Sequence, residues 1–265
     1  MLPVKPPAAG KSRLRGALPG VAHERLALAL ALDTATAALA SPDVAEVIAV
    51  TDDPGAAAAL AALGARSVPE PAGGGLNPAF ARGAAAASGR PVAALQADLP
   101  ALASAELTAA LRVAATMGVR RYAADAPGTG TVLLTAPPGV PLDPRFGPDS
   151  AAAHAASGAV PLDGSWPTLR RDVDTAADLA AAAALGLGPH TARLVGYGAG
   201  MQGTVATYDP ASRSGTVLLD DGSELAYPAA AFDASGLRLL RLGQRVRIDR
   251  DAAGTVTRLT IPTFT

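Results

Sequence analysis

The chain contains no cysteine. That absence excludes a disulfide framework, a thiolate zinc site and a cysteine nucleophile. Lysine is nearly as scarce: of 22 basic residues only Lys5 and Lys11 are lysines, and both lie in one N-terminal loop. Aromatic residues make up 3% of the chain, and the three histidines, His23, His154 and His190, show no metal-ligand spacing and read as ordinary surface or half-buried residues. Long apolar runs are missing too. The alanine-rich stretches are broken by Asp, Arg and Pro before they reach the length of a membrane span, and the first residues run into Pro3 and Lys5 without the apolar stretch of a secretory signal. A net charge of −1 gives no global field for gripping nucleic acid or an anionic membrane, so any anion site must be local. The expected setting is the cytoplasm, with no membrane partner.

What is present is a repeated alternation. At 265 residues the chain has room for one sizeable core and a small second domain, at about 150 residues per domain. Residues 22–40 carry good helix formers, "EVIAV" (46–50) is a β-branched run, and "TDDPG" is a turn. The pattern recurs as a helix over "PGAAAALAALG" ended by Gly64, a short strand "ARSV", a helix over "NPAFARGAAAASG" with Asn77 as N-cap and Pro78 in its first turn, a strand "PVAALQADLP", and a helix after Ser104 as N-cap. Strands alternating with helices of this length predict an α/β fold with a mostly parallel sheet covered on both faces, whose ligands bind at the carboxyl ends of the strands. After residue 196 the character changes. "VGYGAGM" reads as a glycine-rich hinge over 196–201. Residues 202–265 then carry short β-type runs between Gly and Asp turns, with no helix of any length, as in a small all-β module. The expected domains are therefore 1–195 and 202–265.

The stretch "PVKPPAAGKSRL" (3–14) ends in Gly-Lys-Ser and invites a phosphate-loop reading. The pattern fails, because the glycine required five positions before Gly10 is Lys5. Placed in a loop after the first strand, Lys5, Lys11 and Arg13 instead converge as three cations where a triphosphate would lie; solvated loop charges are the alternative. Opposite them, "LQADLP" (95–100) ends an apolar strand in Asp98, either a carboxylate at the ligand edge or a turn former before Pro100. "RRDVDTAADL" (170–179) adds a second acidic cluster. Thr175 and Asp178 fit a capping box that can include Asp174, whereas Asp172 has no such structural use. Two hard oxygen ligands from separate strand ends, completed by triphosphate oxygens and water, describe a Mg2+ site without a dedicated protein cage. Between these motifs, "DAPGTGTVLLTAPP" (125–138) and "RFGPDSAAAHAASGA" (145–159) offer Gly128, Gly130 and Gly147 for close backbone approach and the hydroxyls of Thr131 and Ser150 for an anion, with Ser150 equally able to cap the helix that follows.

Taken together, "PVKPPAAGKSRL", "GLNPAF" (75–80), "LQADLPAL" (95–102), "GTGTVLL" (128–134), "RFGPDSAAAH" (145–154) and "LRRDVDTAADL" (169–179) closely resemble the guanylyltransferases of deazaflavin coenzyme F(420) biosynthesis. The resemblance covers residue 2 to about 195, where the family usually ends, and the first strand here is shorter than the family's. It implies a glycosyltransferase-A-like nucleotidyltransferase fold and GMP transfer from GTP to phosphoenolpyruvate or 2-phospho-L-lactate with release of pyrophosphate. It further implies metal ligands at Asp98 and Asp172, with Asp174 the weaker candidate, and acceptor contacts at Thr131, Gly147 and Ser150. GTP contacts are expected at Lys5, Lys11, Arg13 and Asn77, and the catalytic set at Lys11, Arg13, Asp98 and Asp172. A homodimer and hand-over of the unstable product to the next enzyme of the pathway are further expectations. The rivals are another nucleotidyltransferase, acting on a sugar phosphate or molybdopterin, and a nucleic-acid-binding protein working through its β module. That module resembles a degenerate cold-shock-type OB barrel. Its stacking positions read Ser214, Thr216 and Leu218, leaving Tyr208, Tyr227 and Phe232 as the aromatics of the stretch, which argues against binding single strands.

Overall fold

The computed structural model describes residues 1–5, 14–18, 21–87, 89–198, 201–219, 222–250 and 254–261. The chain divides into two compact units, one of Met1–Ala17 and Ala22–Ala192, the other of Leu18–Val21 and Arg193–Thr265.

The first unit runs β1 (Leu2–Pro3), α1 (His23–Leu39), β2 (Ile48–Val50), α2 (Pro54–Ala62), β3 (Arg66–Val68), α3 (Leu76–Ala86), β4 (Val92–Leu95), α4 (Ser104–Ala115), β5 (Arg121–Ala124), β6 (Thr131–Ala136), α5 (Ser150–Ala156), β7 (Val160–Pro161) and α6 (Ala176–Leu185), and α7 (Pro189–Gly198) begins in it. Strands β1, β2 and β3 form a parallel sheet, and β4, β6, β5 and β7 form a second. Two hydrogen bonds join them: the Met1 amine donates to the Ala93 carbonyl at 2.6 Å and the Leu95 N–H to the Met1 carbonyl at 3.1 Å, the pattern of parallel neighbours. One strand is reversed. β6 pairs antiparallel with both β4 and β5, because only six residues separate it from β5, too few for the crossover a parallel strand needs. The turn closes on Asp125, whose carboxylate accepts the N–H groups of Thr129 and Gly130 at 2.9 Å each, with Gly128 at φ +83° supplying the left-handed step. A Cβ on Gly130 would collide with that carboxylate.

Alanine and leucine from α1, α2 and α4 pack on the sheet around Leu2, Ala49, Leu60, Leu99, Leu107 and Leu133, all at most 2% exposed. A second cluster holds Phe80, Leu134, Phe146 and Ala151 under α3 and α5. Burial of this kind is worth roughly 25 cal/mol per Å2 of apolar surface, and small alanines let helices approach the sheet closely. Two expected caps are not caps. Ser104 is the first helical residue of α4, whose N-cap is Ala103 without a side-chain bond, and α3 begins at Leu76 after Gly75 at φ +108°, which puts Asn77 inside the helix. Glycine alone suits the Gly75 conformation, so the backbone rather than an Asn side chain sets that start. Asp53 does cap α2, accepting from Ala56 N–H at 2.7 Å, and the Thr175–Asp178 capping box opens α6.

The second unit is a five-stranded antiparallel sheet ordered β10 (Glu224–Tyr227), β9 (Ser214–Leu219), β8 (Met201–Asp209), β11 (Arg245–Arg250) and β12 (Val256–Thr260). Its core is Val205, Val217, Tyr227, Phe232, Val246, Ile248 and Leu259. One five-residue helix, α8 (Ala229–Asp233), departs from the helix-free module expected, because Pro228 is followed by three alanines. Of the expected hinge 196–201, residues up to Gly198 belong to α7, Met201 opens β8, and Ala199 and Gly200 lie outside the described residues. Among the described residues no helix is long and apolar enough to cross a membrane.

Candidate active site

The strand directions decide which loops meet. β1 and β4 leave the sheet at the same edge, and β6, being reversed, enters there, with the Gln96 N–H donating to the Val132 carbonyl at 2.9 Å. Lys5 after β1, Asp98 after β4 and Thr131 at the head of β6 therefore share one edge. Lys5 is exposed, whereas Asp98 and Thr131 are buried, at 9% and 3% exposure. Lys11 and Arg13 lie outside the described residues.

Asp98 sits in a pinned loop. The Leu99 N–H donates to Thr34 Oγ1 of α1 at 3.0 Å and the Gly188 N–H to the Pro100 carbonyl at 2.7 Å. The Val173 N–H donates to the Asp98 carbonyl at 3.0 Å, which draws Asp172 alongside. The segment carrying Asp172 is fixed from both sides: Glu106 Oε2 accepts from Thr168 N–H, Thr168 Oγ1 and Leu169 N–H at 2.9, 2.6 and 3.1 Å, and the Arg170 guanidinium donates to the carbonyls of Ala124 and Leu162 at 2.9 and 3.0 Å. Asp174 is exposed and enters the α6 cap through its backbone N–H, which donates to Asp178 at 3.3 Å. Two carboxylates on fixed backbones suit a hard cation that keeps water and phosphate oxygens in its other positions. Among the described residues no group of three or more His, Asp or Glu could hold a metal by itself.

The loop before α5 forms the other wall. Asp143, Gly147 and Asp149 have φ of +46°, +144° and +53°, and Asp tolerates the left-handed region where most residues do not. The space above Gly147 is open, since a Cβ there would meet nothing within 4 Å. Ser150 is buried and is the first helical residue of α5, so it is not the cap; Asp149 holds that position. Asn77 reaches across from α3, accepting the Phe146 N–H at 2.7 Å and donating to the Phe146 carbonyl at 3.0 Å, while Phe80 stacks on Phe146 at 4.2 Å between centroids. The residue expected at the nucleotide thus has much of its amide engaged in holding the loop before α5.

The sequence missed His154. It is fully buried, not a surface residue, and spans Thr131 Oγ1 and the Arg145 N–H at 2.9 Å each; burial pushes its ring down to about 4. Its signal was available: the histidine falls one turn into the helix that starts at Ser150, on the same face. Arg171 was also passed over. Its Nε is buried without a hydrogen-bond partner among the described residues, one position before Asp172, in contrast to the fully tied Arg170. A cavity of about 640 Å3 lined by Met1, Ala93, Leu107, Leu111, Thr135 and Pro137 lies at the opposite edge of the sheet, away from these groups.

In the second unit the aromatics are spent on the core. Tyr227 and Phe232 are buried, at 2% and 4% exposure, and Phe232 packs against Tyr208 at 5.2 Å. The outward positions of β9 are Ser214, Thr216 and Leu218, and Thr216 Oγ1 is bonded to Thr207 and Glu224.

Among curated proteins, a phosphoenolpyruvate guanylyltransferase of Salinispora arenicola is 62% identical over 200 residues, 75% of this chain and 94% of the relative. The chain belongs to the phosphoenolpyruvate guanylyltransferase family. A second member, from Geodermatophilus obscurus, is 56% identical over 201 residues, 74% of this chain and 93% of that protein. Both relatives are covered almost end to end, and about a quarter of this chain lies outside the match. No family model matches the chain. A solved nucleotidyl transferase from Methanothermobacter thermautotroptrophicus overlays on 70% of this chain and 97% of its own at 19% identity and a TM-score of 0.47.

Proposed function

We propose that the protein transfers GMP from GTP to the phosphate of phosphoenolpyruvate, or of 2-phospho-L-lactate, releasing pyrophosphate, in coenzyme F(420) biosynthesis. The observation that carries this reading is the meeting of Asp98, Asp172 and Thr131 at one sheet edge, in a chain 62% identical to a phosphoenolpyruvate guanylyltransferase. An acceptor phosphate oxygen attacks the α-phosphorus of GTP, and the bond from that phosphorus to the bridging oxygen breaks as pyrophosphate leaves. The attacking oxygen is anionic near neutral pH, so no protein base is required. Positioning and charge neutralisation are what the protein supplies.

Lys5, Lys11 and Arg13 are assigned to the triphosphate, and Thr131, Gly147 and Ser150 to the acceptor. Asp98 and Asp172 would hold Mg2+, and their hard oxygens fit it. When bound, the ion offsets the charge that builds on the transferring phosphoryl group and the leaving pyrophosphate. Asn77, expected from the sequence among the GTP contacts, is assigned to the acceptor loop on its bonds to Phe146. A cytoplasmic setting, a homodimer and hand-over of the product belong to the same proposal; the second unit is treated as an accessory. The test is product analysis by mass spectrometry after incubating the protein, Mg2+ and GTP with each phospho-acid separately. A GMP ester of one acid with pyrophosphate is expected. An ester formed only with a sugar phosphate would overturn the assignment and leave the nucleotidyltransferase.

A further inference from the structure

We infer that His154 is a positioning residue that makes the Thr131 hydroxyl an obligate hydrogen-bond donor towards an anionic oxygen of the acceptor. The inference rests on the reading above for the identity of the acceptor and on geometry for the direction of the bond.

The Arg145 backbone N–H lies 2.9 Å from His154 Nε2, and a backbone N–H can only donate, so Nε2 carries no proton. The ring is fully buried in α5, wedged edge-on against Phe146 at 5.0 Å and tilted to Tyr122 at 6.0 Å, an environment that keeps it neutral. A neutral imidazole without a proton on Nε2 has it on Nδ1. Nδ1 is 2.9 Å from Thr131 Oγ1, so the ring donates and the hydroxyl oxygen accepts. The hydroxyl's own hydrogen must then point away from the ring. No other bond of Thr131 Oγ1 is found among the described residues, and Thr131 heads β6 at the edge where Asp98 also emerges.

Everything around this relay is braced. Ala151 N–H donates to the Thr129 carbonyl at 3.0 Å, and Asp125 holds Thr129 and Gly130. Thr131 is therefore held in place with its donor unspent. With the opposite tautomer the hydroxyl would turn its hydrogen to the ring and face an incoming oxyanion with lone pairs. The relay thus selects acceptors that place a phosphate or carboxylate oxygen at Thr131.

Two measurements test it. Long-range 1H–15N spectra of the intact protein at neutral pH should show one of the three histidines as the neutral Nδ1–H tautomer, lost in His154→Leu; an Nε2–H form or an imidazolium at that residue overturns the inference. Kinetics supply the second. Thr131→Val and His154→Leu should each raise the acceptor KM by about ten- to a hundredfold, the range for a hydrogen bond to a charged group, with the GTP KM nearly unchanged. The double variant should be no worse than the worse single one. His154→Asn, which keeps a donor near the Nδ1 position, should recover part of the loss, and His154→Gln, which keeps only an acceptor near Nε2, should not. Rescue by Gln in place of Asn would reduce His154 to a holder of the loop and overturn the inference. Failure of the wild-type protein to make any GMP ester would instead remove the acceptor assignment, while the spectrum still decides the direction of the bond.

Discussion

Asn77 and Phe146, 69 residues apart, are locked by two hydrogen bonds between a side-chain amide and one residue's main chain, at 2.7 and 3.0 Å. The pair ties α3 to the loop before α5 and so fixes where Gly147 and Ser150, the proposed acceptor contacts, stand. Asn77→Ala removes both bonds and leaves two backbone groups to find water, a loss of roughly 1–3 kcal/mol in the order of the loop. The acceptor KM should rise about tenfold while the GTP KM moves little, measured by varying each substrate at saturation of the other. Asn77→Asp should not rescue, because a carboxylate faces the Phe146 carbonyl. A rise confined to the GTP KM would return Asn77 to the nucleotide.

This pair also marks the border of what the sequence reveals. The α/β alternation, the Thr175–Asp178 box and the change of character near residue 196 were legible because each is written in local periodicity or in a cap of adjacent residues. Asn77 reads as a cap for the same reason, since Asn before Pro looks local, whereas its partner Phe146 is in another loop. The reversed direction of β6 follows from the six-residue turn, yet the closure by Asp125 depends on a carboxylate bonding forward to Thr129 and Gly130. The spacing of His154 from Ser150 puts both on one face of α5, but the bonds of the ring to Thr131 and Arg145 depend on a strand and a loop that the helix pattern does not show. The Val173 bond that brings Asp172 towards Asp98 joins chain segments far apart in sequence, so no local pattern shows it.

The buried histidine gives stability a pH signature. In the folded chain His154 titrates at about 4 against 6.5 for a free histidine; burial is the main cause, with Arg120 and Arg145 adding to it and Asp143 and a backbone bond at Ser150 opposing. As pH falls, the unfolded chain takes up this proton first. Stability from the neutral ring is therefore complete above 6.5 and is lost between 6.5 and about 4, with a slope up to about 1.4 kcal/mol per pH unit from this group. Urea midpoints across that range should fall more steeply for the wild type than for His154→Asn. Equal slopes would mean that the ring already carries a proton in the folded protein.

Gly215 offers a way to disable the second unit alone. It lies in β9 between Tyr208 of β8 and Tyr227 of β10, and a Cβ there would overlap the Thr207 carbonyl and come within 2.6 Å of the Tyr227 hydroxyl. A backbone carbonyl in a sheet cannot give way without parting β8 from β9. Gly215→Ala should unfold the second unit, seen as loss of β-sheet signal in circular dichroism, while Trp166, the chain's single tryptophan and part of the first unit, keeps its native fluorescence. GMP transfer should persist within about twofold of the wild type, the size of effect that surface changes away from a site produce. Loss of transfer with Trp166 unchanged would make the second unit part of the enzyme.

The acidic cluster allows a test that separates a ligand from a cap. Asp172 is half-buried beside Asp98, held there by Val173 and by the ties of Arg170 and Glu106, whereas exposed Asp174 enters the α6 cap through its backbone N–H. Replacing a carboxylate by an amide keeps shape and removes the charge that a hard cation needs. Asp98→Asn and Asp172→Asn should each abolish GMP transfer to the limit of detection, with the melting temperature within a few degrees of wild type by the usual scale of about 4 °C or less per kcal/mol for chains of this size. Asp174→Asn should keep most of the activity, because the backbone bond to Asp178 does not need the side chain, and Asn remains acceptable near a helix start. Direct binding gives an independent readout: titration with Mn2+ in the presence of a non-hydrolysable GTP analogue should show a bound ion in wild type and Asp174→Asn, and none in the other two. If Asp174→Asn loses both ion and activity while Asp172→Asn keeps them, the ligand is Asp174, and Val173 anchors the loop for a different purpose.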